Sequence, residues 1–202
     1  MLDEFKVDVP EGKSGEVEIK RFVVDAAGSA FTKMRAAMKG RGYVPEGTYT
    51  EIRRAGVLWM SDTPDEIRDH LGFIGRASGR VLVTGLGLGM VAAACLRKPE
   101  VEKVVVVEID PDVVALVAPH LVEQFGDRVD VVLADAYKWK PAEGSRVFDC
   151  AWHDVWPDIC GSNARKMRAI VKHYAPFMTA PGFFARQACW CERETARENR
   201  RR

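Results

Sequence analysis

The chain has little net charge, no long apolar run and no pair of cysteines at metal-binding spacing. Its 30 basic and 29 acidic side chains leave a formal net charge of +1, so it lacks the strong positive charge typical of nucleic-acid-binding proteins. The longest apolar stretch, residues 81–96, is interrupted by Thr84 and three glycines. It is also shorter than the ~20 residues that span a bilayer. These absences argue for an ordinary globular domain.

The beginning of the chain and its cysteines predict a cytoplasmic protein. Asp3 and Glu4 stand near the start, and no apolar leader follows them, unlike a secretory signal. The five cysteines form no Cys-x-x-Cys motif and have no histidine cluster nearby in the sequence. This pattern predicts reduced thiols and no metal site. We therefore expect a cytoplasmic protein that does not associate with membranes.

From residue 80 onward, short β-branched runs alternate with helical patterns. The run from Lys103 to Ile109 is almost continuously apolar, which is typical of a strand buried on both faces of a parallel sheet. The alternation predicts an α/β fold with a doubly wound, mostly parallel, Rossmann-like sheet. Strands are predicted over residues 80–85, 103–109, 129–133, 147–152 and 182–190, and helices over 90–97, 112–124 and 162–174.

The first part of the chain has a different pattern. It predicts a helix over residues 30–39 and a hairpin over residues 48–60 that turns at Ala55-Gly56. Thr63, followed by Pro64 and two acids, begins another helix. The predicted units are an N-terminal β-rich extension over residues 1–62, a Rossmann-like domain over 63–191 and a charged, solvated tail over 192–202.

Three glycines stand where the strand ending at Thr84 passes into the next helix. Gly85, Gly87 and Gly89 allow a sharp turn and bring a ligand close to the unpaired N–H groups of a helix N-terminus. A dinucleotide-binding fingerprint requires glycine at position 90, where this chain has Met90. The spacing therefore favours a ligand without a pyrophosphate.

Two acids follow the next predicted strands. Glu108 ends the second strand, where a carboxylate can accept hydrogen bonds from both ribose hydroxyls. Asp135 follows the third strand, where it can accept a hydrogen bond from an adenine amino group. Taken singly, Glu108 also fits a solvated strand end, and Asp135 also fits a helix cap. Together with the glycine loop, at the carboxyl edge of a parallel sheet, they predict an adenosine-type cofactor site.

With these segments the chain resembles the class I S-adenosylmethionine-dependent methyltransferases, and within them the branch that contains the spermidine synthases. The resemblance covers residues 63–186 and implies a seven-stranded sheet, preceded by a small β-rich piece, that binds S-adenosylmethionine. The glycine loop is then expected at the methionine end, the acid of the second strand at the ribose and that of the third strand at the adenine. The implied cofactor-binding residues are Gly85, Gly87, Gly89, Glu108, Ile109, Asp135 and Ala136.

Some positions depart from that branch. Leu88 stands where the polyamine synthases carry an Asp that is used toward the amine. An unpaired buried ammonium is costly, so Leu88 counts against polyamine transfer. Thr84 replaces an acid that often precedes the first glycine in methyltransferases, and the chain ends soon after the sixth expected strand. Glu66 and His70 faintly resemble an Asp-Glu-x-x-x-His segment of the branch, although the residues flanking the histidine differ.

The fourth strand leads into the segment that is richest in reactive side chains. We expect Asp154 to orient or deprotonate the acceptor, and His153 is a second candidate base because histidine titrates near neutrality. Trp152 and Trp156 are expected to stack on a flat acceptor or to face the sulfonium charge. The alternatives are a buried or surface histidine with satisfied hydrogen bonds and tryptophans that only pack.

The sequence thus predicts an S-adenosylmethionine-dependent methyltransferase that acts on a small-molecule acceptor. Two alternatives stay open: a spermidine synthase-like aminopropyltransferase, and a non-catalytic nucleoside-binding or interaction module of the same fold. Acids interleave with the arginines of residues 192–202, which argues against a nucleic-acid partner. A homodimer is an expectation from the resemblance, because this branch often dimerises.

Overall fold

The computed structural model describes residues 2–6, 8–142, 144, 146–180 and 186–200. Its N-terminal part is a four-stranded antiparallel sheet in the order β1-β2-β3-β4. This sheet agrees with the predicted β-rich extension. Its elements are a 3-10 helix (Leu2–Phe5), β1 (Gly12–Ser14), β2 (Val17–Val24), α1 (Ala26–Lys39), β3 (Gly47–Arg54) and β4 (Val57–Ser61).

The second part is a five-stranded parallel sheet with helices on both faces. Its elements are α2 (Pro64–Ile74), β5 (Gly79–Thr84), α3 (Met90–Leu96), β6 (Val101–Glu108), α4 (Pro111–Phe125), β7 (Val129–Leu133), β8 (Cys150–His153), α5 (Asn163–Tyr174), β9 (Arg186–Cys189) and α6 (Glu192–Arg200), with short 3-10 helices at Gly126–Arg128 and Ala175–Phe177. The strand order is β7-β6-β5-β8-β9, which confirms the predicted doubly wound architecture. The order reverses between β5 and β8, and such a switch point opens a ligand crevice at the carboxyl ends of the strands.

The central strands are buried on both faces, as their apolar runs predict. Val81 and Val83 of β5 face one hydrophobic cluster, whereas Leu82 faces the other. Ile19 and Ile52 of the antiparallel sheet belong to the same cluster as Val81 and Val83. The N-terminal sheet therefore packs on the core of the parallel sheet.

Polar contacts to the start of α4 also attach the N-terminal sheet. The Ser14 hydroxyl donates to Asp112 Oδ1 at 2.8 Å, and Arg54 Nη1 lies 2.5 Å from Asp110 Oδ2. Asp110 is the N-cap of α4 and Asp112 lies in its first turn, and Asp110 Oδ1 also accepts a hydrogen bond from the Asp112 N–H. The same two carboxylates thus begin the helix and hold the β-rich extension.

Local turn chemistry explains the predicted β3–β4 hairpin. Ala55 and Gly56 have φ values of 47° and 77°, the two positive angles that a type I′ turn requires. A left-handed alanine is unusual, but glycine at the second position carries no such cost. The predicted hairpin and its turn are therefore confirmed.

Three expectations about the second half need correction. The resemblance implies seven strands, whereas the described residues form five in the parallel sheet. The strand predicted from residue 147 begins at Cys150, because Phe148 makes only an isolated bridge to Met178. The strand predicted over 182–190 is described as Arg186–Cys189, and residues 181–185 lie outside the described part of the chain.

Residues 192–200, predicted as a charged, solvated tail, form helix α6, although most of its described side chains are exposed. Its packed side is polar, so hydrophobic periodicity did not indicate a helix there. Thr195 has no exposed surface, and Glu198 Oε2 accepts a hydrogen bond from the Gly161 N–H at 2.9 Å. Within the described ranges, every helix is too short or too polar to cross a bilayer.

Candidate active site

A cavity of about 330 Å³ lies at the carboxyl edge of the parallel sheet, with the β3–β4 hairpin forming one wall. Most of the side chains predicted to bind a cofactor or substrate meet here. Two do not line it: Gly89 and His153. The predicted residues that line the cavity are Gly85, Gly87, Glu108, Ile109, Asp135, Ala136, Trp152, Asp154 and Trp156.

Gly85 brings two strand ends into direct backbone contact. It has a φ of 90°, and a Cβ there would lie 1.9 Å from the Asp154 carbonyl oxygen. The Asp154 N–H donates in turn to the Thr84 carbonyl at 2.8 Å. Only glycine fits this crossing, so Gly85 positions the Asp154 main chain at the cavity.

The other two glycines of the loop have different neighbours. A Cβ on Gly87 would lie 2.6 Å from Met60 Sδ of the hairpin. A Cβ on Gly89 would lie 3.1 Å from Val117 Cγ1 and 3.3 Å from Leu121 Cδ1 of α4. Gly87 therefore lies at the cavity beneath Met60, whereas Gly89 allows α3 to pack closely on α4.

Glu108 fastens the glycine loop to the end of β6. One carboxylate oxygen accepts from the Leu86 N–H at 2.7 Å, and the other accepts from Ile109 and Asp110 at 2.8 and 2.9 Å. A carboxylate offers about four acceptor sites, so one remains for a ribose hydroxyl. The same side chain can thus order the loop and bind a nucleoside.

Asp135 lies at the outer end of the cavity. Its Oδ1 accepts from the Tyr137 N–H at 2.9 Å, and its Oδ2 lies 3.3 Å from Lys138 Nζ. Ile109 is 66% exposed and Tyr137 is 37% exposed, so both are available to flank a flat ring. Burial raises the pKa of Tyr137.

Asp154 lies at the inner end of the cavity, where it is partly buried. Burial raises the pKa of its carboxyl to about 8, and the negative charges of Glu66 and Asp69 add to this effect. The Trp152 indole N–H lies close enough to the Asp154 carboxylate to oppose part of this rise in its pKa, and the Trp156 N–H has the same effect on Tyr137. Asp154 is thus a proton acceptor of unusual strength beside an indole N–H donor.

The His153 side chain points to the face of the sheet opposite to Trp152 and Asp154, because successive side chains of a strand alternate between the two faces. It has no exposed surface, and its Nδ1 and Nε2 lie 3.1 Å from Thr84 Oγ1 and 3.0 Å from Gln187 Oε1. Its ring stacks on Tyr174 with centroids 5.4 Å apart. Burial lowers its pKa to about 4. A neutral, fully engaged histidine outside the cavity fits the alternative interpretation of a structural residue.

Helix α2 contributes two cavity residues that are not among the predicted site residues, Glu66 and His70. They lie one helical turn apart, so they share a face. Glu66 accepts hydrogen bonds from Ser61 N and Oγ at 2.8 and 3.0 Å, and burial raises its pKa. The Asp-Glu-x-x-x-His spacing was the signal for both.

His70 is 1% exposed and packs edge-to-face on Trp152, with ring centroids 5.4 Å apart. Its Nδ1 lacks a hydrogen-bond partner among the residues that the structure describes. Burial lowers its pKa to about 4, so the ring is neutral at physiological pH. A neutral, unpartnered ring nitrogen in a cavity wall can bind a polar ligand atom.

The cavity is acidic and aromatic. Among its described lining residues, five carboxylates accompany one guanidinium, that of Arg54, which is already paired with Asp110 and Glu16. Four of the five tryptophans of the chain also line it. Carboxylates and indole faces both attract cations. The cavity therefore suits a ligand that carries positive charge. The carboxylates are Glu66, Glu108, Asp110, Asp135 and Asp154, and the tryptophans are Trp59, Trp152, Trp156 and Trp190.

Sequence comparison finds relatives among polyamine aminopropyltransferases, although no family model matches the chain. The enzyme of Prochlorococcus marinus is 28% identical over 141 residues, covering 64% of this chain and 50% of the relative. Polyamine aminopropyltransferase 2 of Ralstonia nicotianae is 34% identical over 142 residues, covering 61% of this chain and 27% of the relative. The chain spans half or less of the length of the curated relatives it matches.

Comparison of structures supports the fold. The crystal structure of spermidine synthase from Thermotoga maritima aligns with a TM-score of 0.50 at 17% identity. The alignment covers 84% of this chain and 52% of the other. It extends beyond the residues 63–186 on which the sequence resemblance rests.

These relatives contradict the methyltransferase prediction and the choice of S-adenosylmethionine as cofactor, because their names specify aminopropyl transfer. The strand ends predicted to bind adenosine do not encode which group is transferred, and Leu88 does not count against aminopropyl transfer. Leu88 is fully buried in the core and does not line the cavity. The chain has the class I methyltransferase-like α/β fold and, within it, resembles the spermidine synthase-like branch, as the sequence motifs predict.

Proposed function

We propose that the protein transfers an aminopropyl group from decarboxylated S-adenosylmethionine to a small amine acceptor. The observation that carries this proposal is the pairing of Asp154 with Glu66 in an acidic, tryptophan-lined cavity. The names of the curated relatives support the same reaction class.

The charge of the cavity favours a decarboxylated donor. Decarboxylated S-adenosylmethionine carries a sulfonium and an ammonium, whereas S-adenosylmethionine also carries a carboxylate. The only guanidinium among the described lining residues, that of Arg54, is paired with Asp110 and Glu16. A donor carboxylate would therefore meet like charges without a free cation to offset them.

Glu66 provides a carboxylate that the glycine loop lacks. Leu88 cannot hold an ammonium, but Glu66 reaches the cavity from α2, and its negative charge is the strongest charge influence on Asp154. The negative charge of Glu66 raises the pKa of Asp154, and a bound cation would relieve this repulsion. This pair supports amine binding without an acid in the loop.

The chemistry assigned to Asp154 is proton removal and orientation of the acceptor. An ammonium acceptor gives a proton to the Asp154 carboxylate and becomes a neutral amine. Its nitrogen lone pair attacks the aminopropyl carbon that is bonded to sulfur, so that a C–N bond forms and the C–S bond breaks. The sulfur keeps the electron pair and leaves as neutral methylthioadenosine, and the new secondary ammonium loses no further proton at neutral pH.

Incubation with decarboxylated S-adenosylmethionine and a series of diamines tests the proposal. Mass spectrometry is expected to detect methylthioadenosine together with an amine that has gained one aminopropyl group. Asp154→Asn is expected to lower kcat/KM by about 10²–10⁴-fold, the range typical of a lost general base.

Asp158→Asn is the matched control, because Asp158 is an exposed acid on the same loop. It should retain the activity of the unaltered protein. Absence of methylthioadenosine with every diamine, in a protein that binds the donor by titration calorimetry, would instead favour a non-catalytic nucleoside-binding module.

A further inference from the structure

Helix α1 is oriented with its apolar side toward solvent. Phe31, Met34 and Met38 are 58%, 60% and 83% exposed. The residues of α1 that are buried or partly buried are small or polar: Gly28, Ser29, Thr32 and Ala36. This arrangement is the reverse of that in a typical surface helix, which buries its apolar stripe.

The polar side of α1 is held by specific hydrogen bonds. Thr32 Oγ1 accepts from the Val44 N–H at 3.1 Å and lies 3.0 Å from the carbonyl oxygens of Ser29 and Val44. Asp25 caps the first turn by accepting from the Gly28 N–H at 2.8 Å. These contacts fix which side of the helix faces the protein, so the apolar side is presented outward.

Basic side chains border the exposed apolar arc. At about 100° per residue, Phe31, Met34 and Met38, together with the exposed Ala30 and Ala37, fall on one arc opposite the packed side. Lys33 falls at one edge of this arc and Arg35 at the other, and both are exposed. An apolar arc with cations along both edges is the pattern of helices that lie in a membrane interface.

The charge of the segment selects an anionic partner. Residues 26–42 contain four basic residues and no acid, and of these Arg41 is paired with Asp69 at 2.8 Å. A second copy docked through the same face would bring like charges together. An anionic lipid surface offers phosphates to the cations and an apolar layer to the arc, and it needs no shaped groove.

We propose that α1 binds an anionic lipid surface, with Phe31, Met34 and Met38 in the acyl boundary and Lys33 and Arg35 at the headgroups. Such a helix lies along the membrane and needs no spanning length, so this proposal departs from the expectation that the protein does not associate with membranes. This property is separate from the transfer reaction, because none of these five side chains lines the cavity.

Co-sedimentation of the full chain with lipid vesicles tests the proposal. Vesicles of phosphatidylcholine alone are compared with vesicles that also contain phosphatidylglycerol, at low and physiological salt. Binding is expected only with phosphatidylglycerol and is expected to weaken as salt rises. Phe31→Ser with Met38→Ser should lower the partition coefficient at least about tenfold, and Lys33→Glu with Arg35→Glu should abolish binding.

The matched control is Val57→Ser with Val122→Ser, which alters exposed apolar residues outside α1, 63% and 48% exposed. This variant should bind vesicles like the unaltered protein. Circular dichroism and thermal melting verify that each variant folds. No binding to either vesicle, or equal binding by the Phe31/Met38 variant and the control, overturns the proposal. A dimer that the Phe31/Met38 changes dissociate, without vesicle binding, would assign the face to a second copy instead.

Discussion

The two ends of the cavity are constructed differently. At the end proposed to bind the donor, here called the donor end, backbone groups dominate: Gly85 and Gly87 shape the loop, and Glu108 is bound to three main-chain N–H groups. At the end proposed to bind the amine, here called the acceptor end, side chains from separate elements dominate, with Glu66 from α2 and Asp154 after β8. The donor end is thus fixed by local chain geometry, whereas the acceptor end depends on charge and burial. Substitutions at the donor end should therefore mainly affect folding, whereas substitutions at the acceptor end should mainly affect the transfer reaction.

The largest effect on folding is expected where the two ends meet. Gly85→Ala places a Cβ 1.9 Å from the Asp154 carbonyl oxygen, and the backbone there cannot move without separating β5 from β8. We expect the free energy of unfolding, measured with urea, to fall by about 3 kcal/mol or more. Gly40→Ala is the control, since Gly40 also has a positive φ, 78°, but nothing lies within 4 Å of its Cβ position. Gly40→Ala should lower the free energy of unfolding by about 1 kcal/mol. Equal losses for both variants would show that the close contact between Gly85 and the Asp154 carbonyl oxygen does not limit the side chain at position 85.

A pH profile tests the electrostatic character of the acceptor end. Asp154 must be ionised to accept a proton, and its pKa is raised to about 8. Transfer activity should therefore rise about tenfold per pH unit up to about pH 8. A free amine acceptor also loses its proton near pH 10. In Asp154→Asn, the increase in activity that ends near pH 8 should be absent, and only the increase near pH 10 should remain. A wild-type activity that is constant from pH 6 to 8 would exclude this role for Asp154.

The same group links stability to pH. Because the folded-state pKa of Asp154 lies above its unfolded value, the native state binds the proton more tightly. The stabilising contribution is complete below the unfolded pKa of about 3.9 and is lost as pH rises through about 8. Relative to wild type, Asp154→Asn should therefore become progressively more stable toward pH 9 in urea denaturation. A constant difference between the two proteins across this range would contradict the raised pKa.

The same contrast explains what could be predicted from sequence. Gly85, Glu108 and Asp135 each lie at or just after the end of a predicted strand, and parallel strands bring their carboxyl ends to one edge. Glu66 lies in α2, which comes before the first strand of that sheet. Its approach to Asp154 therefore depends on how α2 packs, which no local sequence pattern specifies. The exposed face of α1 and the polar packing of α6 were not predicted, because hydrophobic periodicity assumes that apolar residues face inward.

A smaller effect is expected from His70, which offers one ring nitrogen to the acceptor end. His70→Phe keeps a flat ring but removes that polar atom, whose hydrogen bond is worth about 1 kcal/mol. We expect KM for the acceptor to rise about fivefold while kcat changes little. His70→Gln should restore part of the affinity. Since the pKa of His70 is about 4, the ratio of mutant to wild-type KM should not vary between pH 6 and 9, and a varying ratio would indicate that His70 titrates during binding.

The smallest effect is expected at the exposed edge of the donor end. Lys138 lies 3.3 Å from Asp135, but its side chain is 84% exposed, and such surface pairs contribute little. Lys138→Ala should change the Kd for the donor nucleoside less than about twofold. Asp135→Ala should weaken it about tenfold, because the proposed hydrogen bond from the adenine amino group to this carboxylate would be lost. If titration calorimetry gave equal losses for the two variants, Asp135 would serve the ion pair rather than the ligand, and the donor end would depend on Glu108 and the glycine loop alone.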